Sequence, residues 1–429
     1  MIFPEKITNI GFVSTRLQGT DGVSLETGKW DVVLEKLGYR CFFFAGVSDW
    51  NEKQTMVVPE AFFDHPEIKS IQNKCFGITT RATELTGKIH HMRMLLKEKL
   101  YEFIEKYEIN CLIPENAITI PMNIPLGLAI TEIIAETGIP TIAHHHDFSW
   151  ERQRFLVNCV PDFLSMAFPP VLPSIAHVVI NTPADSELSY RTGISARIIH
   201  NILDFDTPPP EIDDFNKDVR KDLGLAEDDI FILQPTRIVS RKGIEHSIEL
   251  VSRLNNPKVK LVITHASGDE GFEYENRVRN FAELMGIPLI INPDLFGEKR
   301  KTYPDGRKRY TLWDVYPHAD FVTYPSIYEG FGNAFLEAVY FRKPILVNRY
   351  SIYETDIEPR GFEVITMNGY ITEAVVQQVR DLLENRGKIQ TMVDKNFKIA
   401  QKFFSYEVLT SKLKSILLDF EGIEHASCT

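Results

Sequence analysis

Short runs of β-branched and aromatic residues alternate with helix-length segments along almost the whole chain. This pattern is typical of βαβ units, in which parallel strands are buried on both faces by the helices between them. In the first half, strands are predicted at Thr8–Val13, Tyr39–Ala45, Cys111–Pro114, Pro140–Ala143, His177–Ile180 and Arg197–Ile199. Helices are predicted near Leu25–Leu37, Arg81–Tyr107 and Leu126–Thr137, and Asp185 is predicted to cap a further helix.

Three prolines and five acidic residues interrupt the alternation in HNILDFDTPPPEIDDFNK, residues 200–217, which is the best linker in the chain. Beyond it, strands are predicted at Ile230–Pro235, Lys260–Thr264, Pro288–Asn292, Asp320–Tyr324, Lys343–Val347 and Phe362–Ile365. Helices are predicted near Gly243–Leu254, Phe272–Met285 and Asn333–Phe341, and the tail from Ile371 is predicted to be helical only. The sequence therefore predicts two doubly wound α/β domains, with ligands at the carboxyl ends of the strands in a cleft between them.

Length and charge agree with this organisation. The 429 residues exceed the roughly 250–300 at which a single core stops growing. The net charge of -12 argues against nucleic acid or an anionic membrane as the main partner. Five scattered cysteines, the lack of a leader-like N-terminus and the lack of a membrane-length apolar run predict a reducing cytoplasm. These cysteines are Cys41, Cys75, Cys111, Cys159 and Cys428.

The stretch SIYEGFGNAFLEAV, residues 326–339, places Glu329 and Glu337 around two glycines and an asparagine. It follows a predicted strand and leads into a predicted helix that Asn333 is expected to cap. That helix is apolar on nearly every face, so Glu337 is a costly charge that needs either a salt-bridge partner or a polar ligand. A carboxylate that accepts two hydroxyl bonds suits a ribose, and the glycines let backbone amides approach a bound group.

The stretch QPTRIVSRKG, residues 234–243, places three cations between a predicted strand and a predicted helix. Arg237, Arg241 and Lys242 together with the amides of the helix start would form a local diphosphate site. By charge alone, a solvated turn explains them as well. The glutamate stretch in the same predicted domain favours the diphosphate site.

Three histidines and an aspartate end a predicted strand in TIAHHHDF, residues 141–148. In an extended strand, His144 and His146 share one face, whereas His145 and Asp147 share the other, so the run by itself is not a three-ligand metal site. We expect His146 to line the cleft and hydrogen-bond a substrate. Core histidines satisfied by backbone groups are the alternative for the other two.

A loop with Gly19 and Gly22 follows the first predicted strand. It is not GxGxxG, so a dinucleotide-binding Rossmann domain is a poor interpretation. The loop would bring backbone amides and the charge of Arg16 to an oxyanion.

The stretches RIVSRKG and EGFGNAFLE resemble the phosphate element and the paired glutamates of the glycosyltransferase family 4 enzymes, which have the GT-B fold. The resemblance covers most of the chain and is clearest from about Phe231 to Leu346. It implies two Rossmann-like domains facing a cleft, at 1–205 and 217–400, joined by a hinge at 206–216. A C-terminal helix, 401–429, would return to the N-terminal domain.

The family also implies a role for each matching residue. Arg237 and Lys242 would hold the donor diphosphate, and Glu337 would bind the ribose. Glu329 and the amides of the loop would orient the transferred sugar, while His146 would face that sugar, with a register that leaves His144 and His145 open. The amides are those of Phe331, Gly332 and Asn333, and Gly22 lies in a loop resembling the family's glycine-rich loop.

The activity implied is retaining hexosyl transfer from a nucleotide diphosphate sugar, GDP-mannose or UDP-glucose, with no other cofactor and no essential metal. STRLQGTDGVSLET and HHHDFSWERQRF resemble a bacterial subgroup concerned with mannosylglucosylglycerate synthesis, so the acceptor would be a glucosylglycerate-like sugar acid. Its carboxylate would pair with Arg16 or Arg152. The other acceptor candidates are Asp21, Glu115, Asn116 and Asp147, and a loop turn explains Glu115 and Asn116 equally well. Alternatives are a nucleotide-sugar epimerase or hydrolase, and a non-catalytic sugar-nucleotide binding protein.

Overall fold

The structure is a computed structural model that describes residues 6–19, 21–265 and 272–427. It divides into two compact units. Unit 1 comprises residues 1–201 and 406–429, and unit 2 comprises residues 202–405. Cys428 lies outside the described residues, and the other four cysteines are buried free thiols.

Unit 1 is built on a seven-stranded parallel sheet with the strand order β3-β2-β1-β4-β5-β6-β7. Every residue of β1 is buried, because helices cover both faces of the sheet. The strands are β1 (Asn9–Ser14), β2 (Arg40–Ala45), β3 (Thr55–Val57), β4 (Cys111–Pro114), β5 (Thr141–His145), β6 (Ile175–Val179) and β7 (Arg197–Ile198). The helices are α1 (Gly22–Lys36), α2 (Pro66–Cys75), α3 (Thr83–Lys106), α4 (Ile124–Thr137), α5 (Gln153–Leu156), α6 (Pro161–Ala167) and α7 (Thr182–Thr192).

Unit 2 contains a six-stranded parallel sheet with the order β10-β9-β8-β13-β14-β15 and a small antiparallel pair, β11 and β12. The strands are β8 (Ile230–Gln234), β9 (Val259–Ile263), β10 (Leu289–Ile291), β11 (Lys301–Thr302), β12 (Lys308–Arg309), β13 (Phe321–Tyr324), β14 (Ile345–Asn348) and β15 (Ile365–Met367). The helices are α8 (Val219–Asp222), α9 (Ile244–Leu254), α10 (Glu273–Leu284), α11 (Leu312–Val315), α12 (Asn333–Tyr340), α13 (Glu373–Glu384) and α14 (Arg386–Phe403). The prediction of two doubly wound parallel sheets is confirmed.

The last helix, α15 (Tyr406–Ser427), belongs to unit 1, where it contacts α1. Its apolar side is buried, and Arg197 on β7 donates to the Ser415 hydroxyl at 3.1 Å. The buried side chains are those of Leu409, Leu413, Ile416 and Leu417. The chain therefore closes unit 1 with a segment more than two hundred residues distant in sequence.

The Pro-rich segment 206–216, expected to be a hinge, lies within unit 2. Asp213 forms an ion pair with Arg300 at 2.7 Å, and the Tyr340 hydroxyl donates to the carbonyl of Thr207 at 3.1 Å. Side chains of unit 2 thus hold this segment at two points.

Two predicted helix caps are wrong. Asn181, not Asp185, caps α7, because its side chain accepts from the amide of Ala184 at 2.8 Å and Pro183 lies within the first turn. Gly332, not Asn333, occupies the cap of α12, and Asn333 is the first residue of that helix. Each of these helices therefore begins earlier in the sequence than the apolar pattern indicated.

Strand β3 and the β11–β12 pair were not predicted, since each is only two or three residues long and has no alternation to detect. The last strand, predicted at Phe362–Ile365, lies at Ile365–Met367 instead. Within the described residues, none of the helices combines the length and the apolar character needed to cross a membrane.

Candidate functional site

One buried carboxylate holds two of the three consecutive histidines. Glu115 directly follows β4, and its Oε2 atom lies 2.9 Å from Nδ1 of His144 and 3.0 Å from Nε2 of His146. The Glu115 side chain is fully buried and that of His146 is 9% exposed. His144 stacks on Trp30 of α1 with a ring separation of 4.1 Å. The expected sharing of one face by His144 and His146 is therefore observed, and the carboxylate comes from the neighbouring strand.

The charges of this cluster are coupled. Burial alone would raise the pKa of Glu115, but the two histidines hold it below its ordinary value. Burial opposes protonation of His146, yet the hydrogen bond and charge of Glu115 raise its pKa. Burial lowers the pKa of His144. Glu115 thus favours the charged form of His146, whereas burial favours the neutral form of His144.

His145 faces away from this cluster. Its Nδ1 lies 2.5 Å from the Thr119 hydroxyl and its Nε2 lies 2.9 Å from Nδ1 of His177. Burial holds the pKa of His145 well below its ordinary value, so the ring is neutral. The alternative of a core histidine applies to His145, but side chains rather than backbone groups satisfy it.

The cluster also offers three ligands to a metal ion. The ligand atoms of Glu115, His144 and His146 all lie within 4.8 Å of one another, a combination found in His₂Glu zinc sites. Contact between Glu115 and the two histidines was not predicted from the sequence, because the glutamate comes from another strand. Both histidines contact Oε2 of Glu115, whereas its Oε1 is buried without a hydrogen-bond partner among the described residues.

Asn116 and Asp147 hold the backbone next to the cluster. Asn116, at a positive φ of 59°, accepts from the amide of His146 at 3.1 Å and donates to Asp147 at 2.8 Å. Asp147 in turn forms an ion pair with Arg152. Asn116 and Asp147, predicted to bind the acceptor, therefore also lock the turn that follows β5.

Residues of the loop after β1 line a cavity that Glu115 also lines. Asp21 caps α1 by accepting from the amides of Val23 and Ser24, and its Oδ2 lies 3.4 Å from Nε of Arg16. A Cβ at Gly22 would meet no atom within 4 Å, so the chain leaves open space there. Arg16, Asp21, Glu115 and Asn116 line one cavity of about 170 Å³, which places four of the predicted acceptor residues together.

In unit 2, the predicted phosphate element and the first glutamate meet. Glu329 forms ion pairs with Lys242 and with Arg241, the latter at 2.8 Å. The backbone permits this approach because Gly243, with φ of 58°, places its α-carbon against the carbonyl of Pro325, where a Cβ would lie 2.5 Å from the oxygen. The amide of Ile327 also donates to the carbonyl of Arg241 at 2.8 Å. The tertiary fold thus joins segments almost ninety residues apart.

Burial would raise the pKa of Glu329, but Lys242 and Arg241 keep it below its ordinary value. Burial lowers the pKa of Lys242, and Glu329 only partly offsets this. Arg237 is exposed, and its charge together with that of Lys242 adds to burial in lowering the pKa of His265 to about 4. The charges of Arg237 and Lys242 therefore act on the same buried groups at this end of the sheet.

The loop before α12 is enclosed and contains a glycine with a positive φ. Gly332 has φ of 126°, and a Cβ on it would lie 2.3 Å from the hydroxyl of Tyr350. That hydroxyl donates to the carbonyl of Phe331 at 2.8 Å. Phe331 is buried, and Asn333 is half-buried at the first position of α12. Tyr350 therefore fixes the backbone of this loop by its hydrogen bond to the Phe331 carbonyl.

Glu337 occupies a different position from Glu329. It is half-buried on α12, and its Oε2 accepts from the Tyr316 hydroxyl at 3.1 Å. The phenol of Tyr316 is thus one partner of the Glu337 carboxylate.

Sequence reasoning missed several residues that build these two clusters. Trp30, His177 and Thr119 support the histidines, and Tyr316 and Tyr350 support the loop and helix of unit 2. Their roles depend on contacts between distant elements. The buried aromatic character of Trp30, Tyr316 and Tyr350 was the only signal in the sequence, and it predicts core packing alone.

Comparison with known proteins identifies the family. Residues 297–399 match the family model of the glycosyl transferases group 1. The mannosylglucosylglycerate synthase of Petrotoga mobilis is 32% identical over 379 residues, which are 83% of this chain and 86% of that protein. The synthase of the same name from Thermotoga maritima is 31% identical over 439 residues, covering 93% of this chain and 97% of that protein.

Among solved structures, Anabaena Alr3699/HepE in complex with UDP-glucose superposes with a TM-score of 0.63 at 12% identity, covering 96% of this chain and 99% of that one. This likeness shows that the two parallel sheets have the GT-B architecture. The chain belongs to the group 1 glycosyltransferases and, within them, to the mannosylglucosylglycerate synthase-like subgroup.

Proposed function

We propose that this glycosyltransferase is a retaining family 4 enzyme that moves a mannosyl group from GDP-mannose to a hydroxyl of a small sugar acid resembling glucosylglycerate. The names of the two relatives that match most of the chain support this choice of sugar and acceptor. The observation that carries it is the cluster of Arg241, Lys242 and Glu329, which gathers cations at the carboxyl end of β8 in an otherwise acidic chain.

In this proposal the donor diphosphate binds Lys242 and Arg237. An incoming diphosphate competes with Glu329 for Lys242, because both are anions that need the same buried ammonium group. Glu329, once displaced, turns its oxygens toward the hydroxyls of the transferred sugar, and the amides of the Gly332 loop bind the same sugar. Glu337 accepts from the ribose hydroxyls.

The chemistry proposed is a front-face displacement. The leaving phosphate oxygen removes the proton of the acceptor hydroxyl while the glycosidic bond to the diphosphate breaks and the new bond forms on the same face. Cations that stabilise negative charge on the leaving group supply much of the rate. Lys242 and Arg237 take that role here, and His146, hydrogen-bonded to Glu115, faces the transferred sugar.

Lys242 tests the donor site. Removing its charge in Lys242→Ala is expected to lower the rate of transfer by at least about 100-fold, as for loss of one group that stabilises transition-state charge. Turnover with GDP-mannose and glucosylglycerate is measured together with the melting temperature. Lys258→Ala is the matched control, since Lys258 is an exposed lysine of unit 2 that pairs with Asp228 at 2.7 Å. Near-normal turnover by a folded Lys242→Ala protein would contradict the assignment.

Glu337 tests the ribose site separately. Glu337→Ala is expected to weaken donor binding and raise KM, because it removes an acceptor of the ribose hydroxyls. Tyr316→Phe removes only the hydroxyl that donates to Glu337. If both variants had equal effects on KM, Glu337 would be a partner of Tyr316 rather than a ligand of the donor.

Product analysis separates this function from its alternatives. Transfer predicts a mannosylated product only when the acceptor is present, and NMR of its anomeric proton reports retention. Release or isomerisation of the sugar without an acceptor would show an epimerase or hydrolase, and donor binding without turnover would show a binding protein. A thermal-shift series with GDP-, UDP- and ADP-sugars identifies the nucleotide, since a donor at about 100 times its Kd stabilises by about 2.7 kcal/mol.

A further inference from the structure

Two cavities adjoin in unit 1. The smaller, of about 170 Å³, is the one lined by Arg16, Glu115 and Asn116. The larger, of about 510 Å³, is lined by polar and aromatic side chains of α2 and α5. Phe63 and Met122 line both. Small-molecule sites usually measure roughly 300–1,000 Å³, so the larger cavity falls in that range and the smaller one is a pocket at its end.

Glu115, which lines the smaller cavity, has a carboxylate oxygen that lacks a hydrogen-bond partner among the described residues. Both histidines use Oε2 of Glu115, whereas Oε1 of the same carboxylate is buried and has no hydrogen-bond partner among the described residues. A buried carboxylate oxygen without a donor is destabilising. A hydroxyl group that reached Oε1 from this cavity would supply the missing donor.

The arginines expected to bind an acidic acceptor are already neutralised. Arg16 lies 3.4 Å from Asp21, and Arg152 forms an ion pair with Asp147. An anion could bind either of them only in competition with a carboxylate of the chain. Lys69, which lines the larger cavity, is likewise paired with Asp64 at 2.7 Å.

Arg154 differs from these cations. It lines the larger cavity, where its guanidinium contacts the sulfur of Met122 and lies 4.5 Å from the ring centre of Phe155. Within residues 6–19, 21–265 and 272–427 it forms no ion pair with a carboxylate. Burial of part of the side chain and the charge of Arg152 lower the pKa of Arg154, and the charge of Asp147 partly offsets them. The side chain is exposed, so an anion bound here would compete only with the weak acceptor sulfur of Met122 and with no ion-paired carboxylate of the described residues.

We infer that the acceptor spans both cavities, with a hydroxyl donating to Oε1 of Glu115 in the smaller one and an anionic group bound by Arg154 in the larger one. This inference rests on the proposed transfer to a sugar acid and names the residue that selects the acid. Aromatic side chains between the two ends, among them Phe63, suit the apolar face of a sugar ring. Arg154, rather than Arg16 or Arg152, is the determinant of acceptor charge.

The test compares an anionic acceptor with a neutral one. Wild type, Arg154→Ala and Arg154→Lys are assayed with glucosylglycerate and with the analogue in which its carboxylate is an amide. Arg154→Ala is expected to raise KM for the anionic acceptor about 10- to 100-fold, the loss of a charged hydrogen bond, with little change in kcat. Arg154→Lys should reverse part of this rise in KM. All three proteins should have the same KM for the amide analogue.

Two controls separate this role from others. Arg191→Ala removes an exposed arginine of unit 1 that pairs with Glu187 at 2.6 Å and lines neither cavity, so its KM should be unchanged. Arg16→Ala tests the competing site. Loss of discrimination between the acid and the amide in Arg16→Ala but not in Arg154→Ala would overturn the inference, as would an equal effect of Arg154→Ala on both acceptors.

Binding of glucosylglycerate alone, measured by calorimetry, distinguishes failure of the inference from failure of the proposed function. If wild type binds the acid, Arg154→Ala does not, and no transfer occurs, then the anion subsite stands and the proposed reaction is wrong. If transfer occurs and Arg154→Ala binds the acid as wild type does, the reaction stands and the subsite is wrong. If wild type neither binds nor uses the acid, both are overturned.

Discussion

Glu115 owes its place in the site to neighbours from another strand. The sequence shows only a glutamate and an asparagine at the end of a strand, for which a simple turn is an equal explanation. In the structure its carboxylate is fully buried and binds two histidines from the next strand. A buried charge in this position is stable only because those partners are present.

A pH-dependent loss of stability is expected for Glu115→Gln. The pKa of His146 is raised above its ordinary 6.5, so its stabilising effect is complete below about 6.5 and disappears as the pH rises through the folded-state pKa. The pKa of Glu115 is lowered from 4.5, so its effect is complete above about 4.5 and disappears as the pH falls through the folded-state pKa. The variant should therefore lose about 2 kcal/mol of unfolding free energy near pH 5.5 and less at pH 8.5.

Urea unfolding at the two pH values, followed by tryptophan fluorescence, measures this difference. Glu132→Gln is the matched control, because the partners of Glu132 are Arg93 and Lys97, which remain charged at both pH values. Its loss of stability should be the same at pH 5.5 and 8.5. A pH-independent loss in Glu115→Gln would show that the carboxylate and His146 do not form an ion pair.

At the scale of elements, the start of α12 is a tightly enclosed turn of unit 2. Asn333 was predicted to cap the helix, but the chain turns one residue earlier, at Gly332. The φ of 126° there is one that only glycine adopts without strain. Tyr350 from beyond β14 closes the space behind Gly332. The glycine is therefore required by a neighbour that local sequence does not show.

Gly332→Ala is expected to destabilise unit 2 and to weaken donor binding. The left-handed backbone costs about 1–3 kcal/mol for a residue with a Cβ, and the added atom would also lie 2.3 Å from the Tyr350 hydroxyl. Chemical denaturation and donor titration measure both effects. Tyr350→Phe in the same chain should restore part of the loss, since it removes the clashing oxygen but leaves the backbone strain.

Gly87→Ala is the control for this substitution. Gly87 lies inside α3, and a Cβ there meets no atom within 4 Å. Alanine should therefore stabilise the protein by about 0.5–1 kcal/mol through helix propensity. Equal tolerance of alanine at Gly332 and Gly87 would contradict the role given to the turn.

Most strands and helices were predictable because buried parallel strands are continuous apolar runs separated by amphipathic or apolar helices. The exact first and last residues of these elements were less predictable. Asp185 and Asn181 are both good capping residues, and only the hydrogen bond from Asn181 to the amide of Ala184 decides between them. Elements of two or three residues, such as β3, carry too little pattern to be detected.

On the scale of the whole molecule, the last helix belongs to the first unit. Leu413 of α15 is fully buried there, whereas Leu382 of α13 is buried in unit 2. A large-to-small change in either core removes apolar contacts and leaves a cavity, at a cost of about 2–5 kcal/mol.

Leu413→Ala is expected to raise hydrogen exchange in the sheet of unit 1, including β1, and to leave the sheet of unit 2 unaffected. Leu382→Ala should do the opposite. Hydrogen exchange followed by mass spectrometry resolves the two sheets, because local opening is governed by the stability of each cooperative unit. Faster exchange of both sheets in Leu413→Ala would show that the helix stabilises the chain as a single unit.

The sequence by itself determined the two parallel sheets, the approximate place of most elements and the segments that carry the chemistry, since hydrophobic period and motif spacing are local properties. The meeting of Glu329 with Lys242, the carboxylate that joins His144 to His146, and the place of Arg154 beside a cavity with no ion-paired carboxylate among the described residues depended on the tertiary structure. The reason is physical: a charge is satisfied or left free by whatever side chain the fold brings within about 3–4 Å, and those neighbours come from distant parts of the chain.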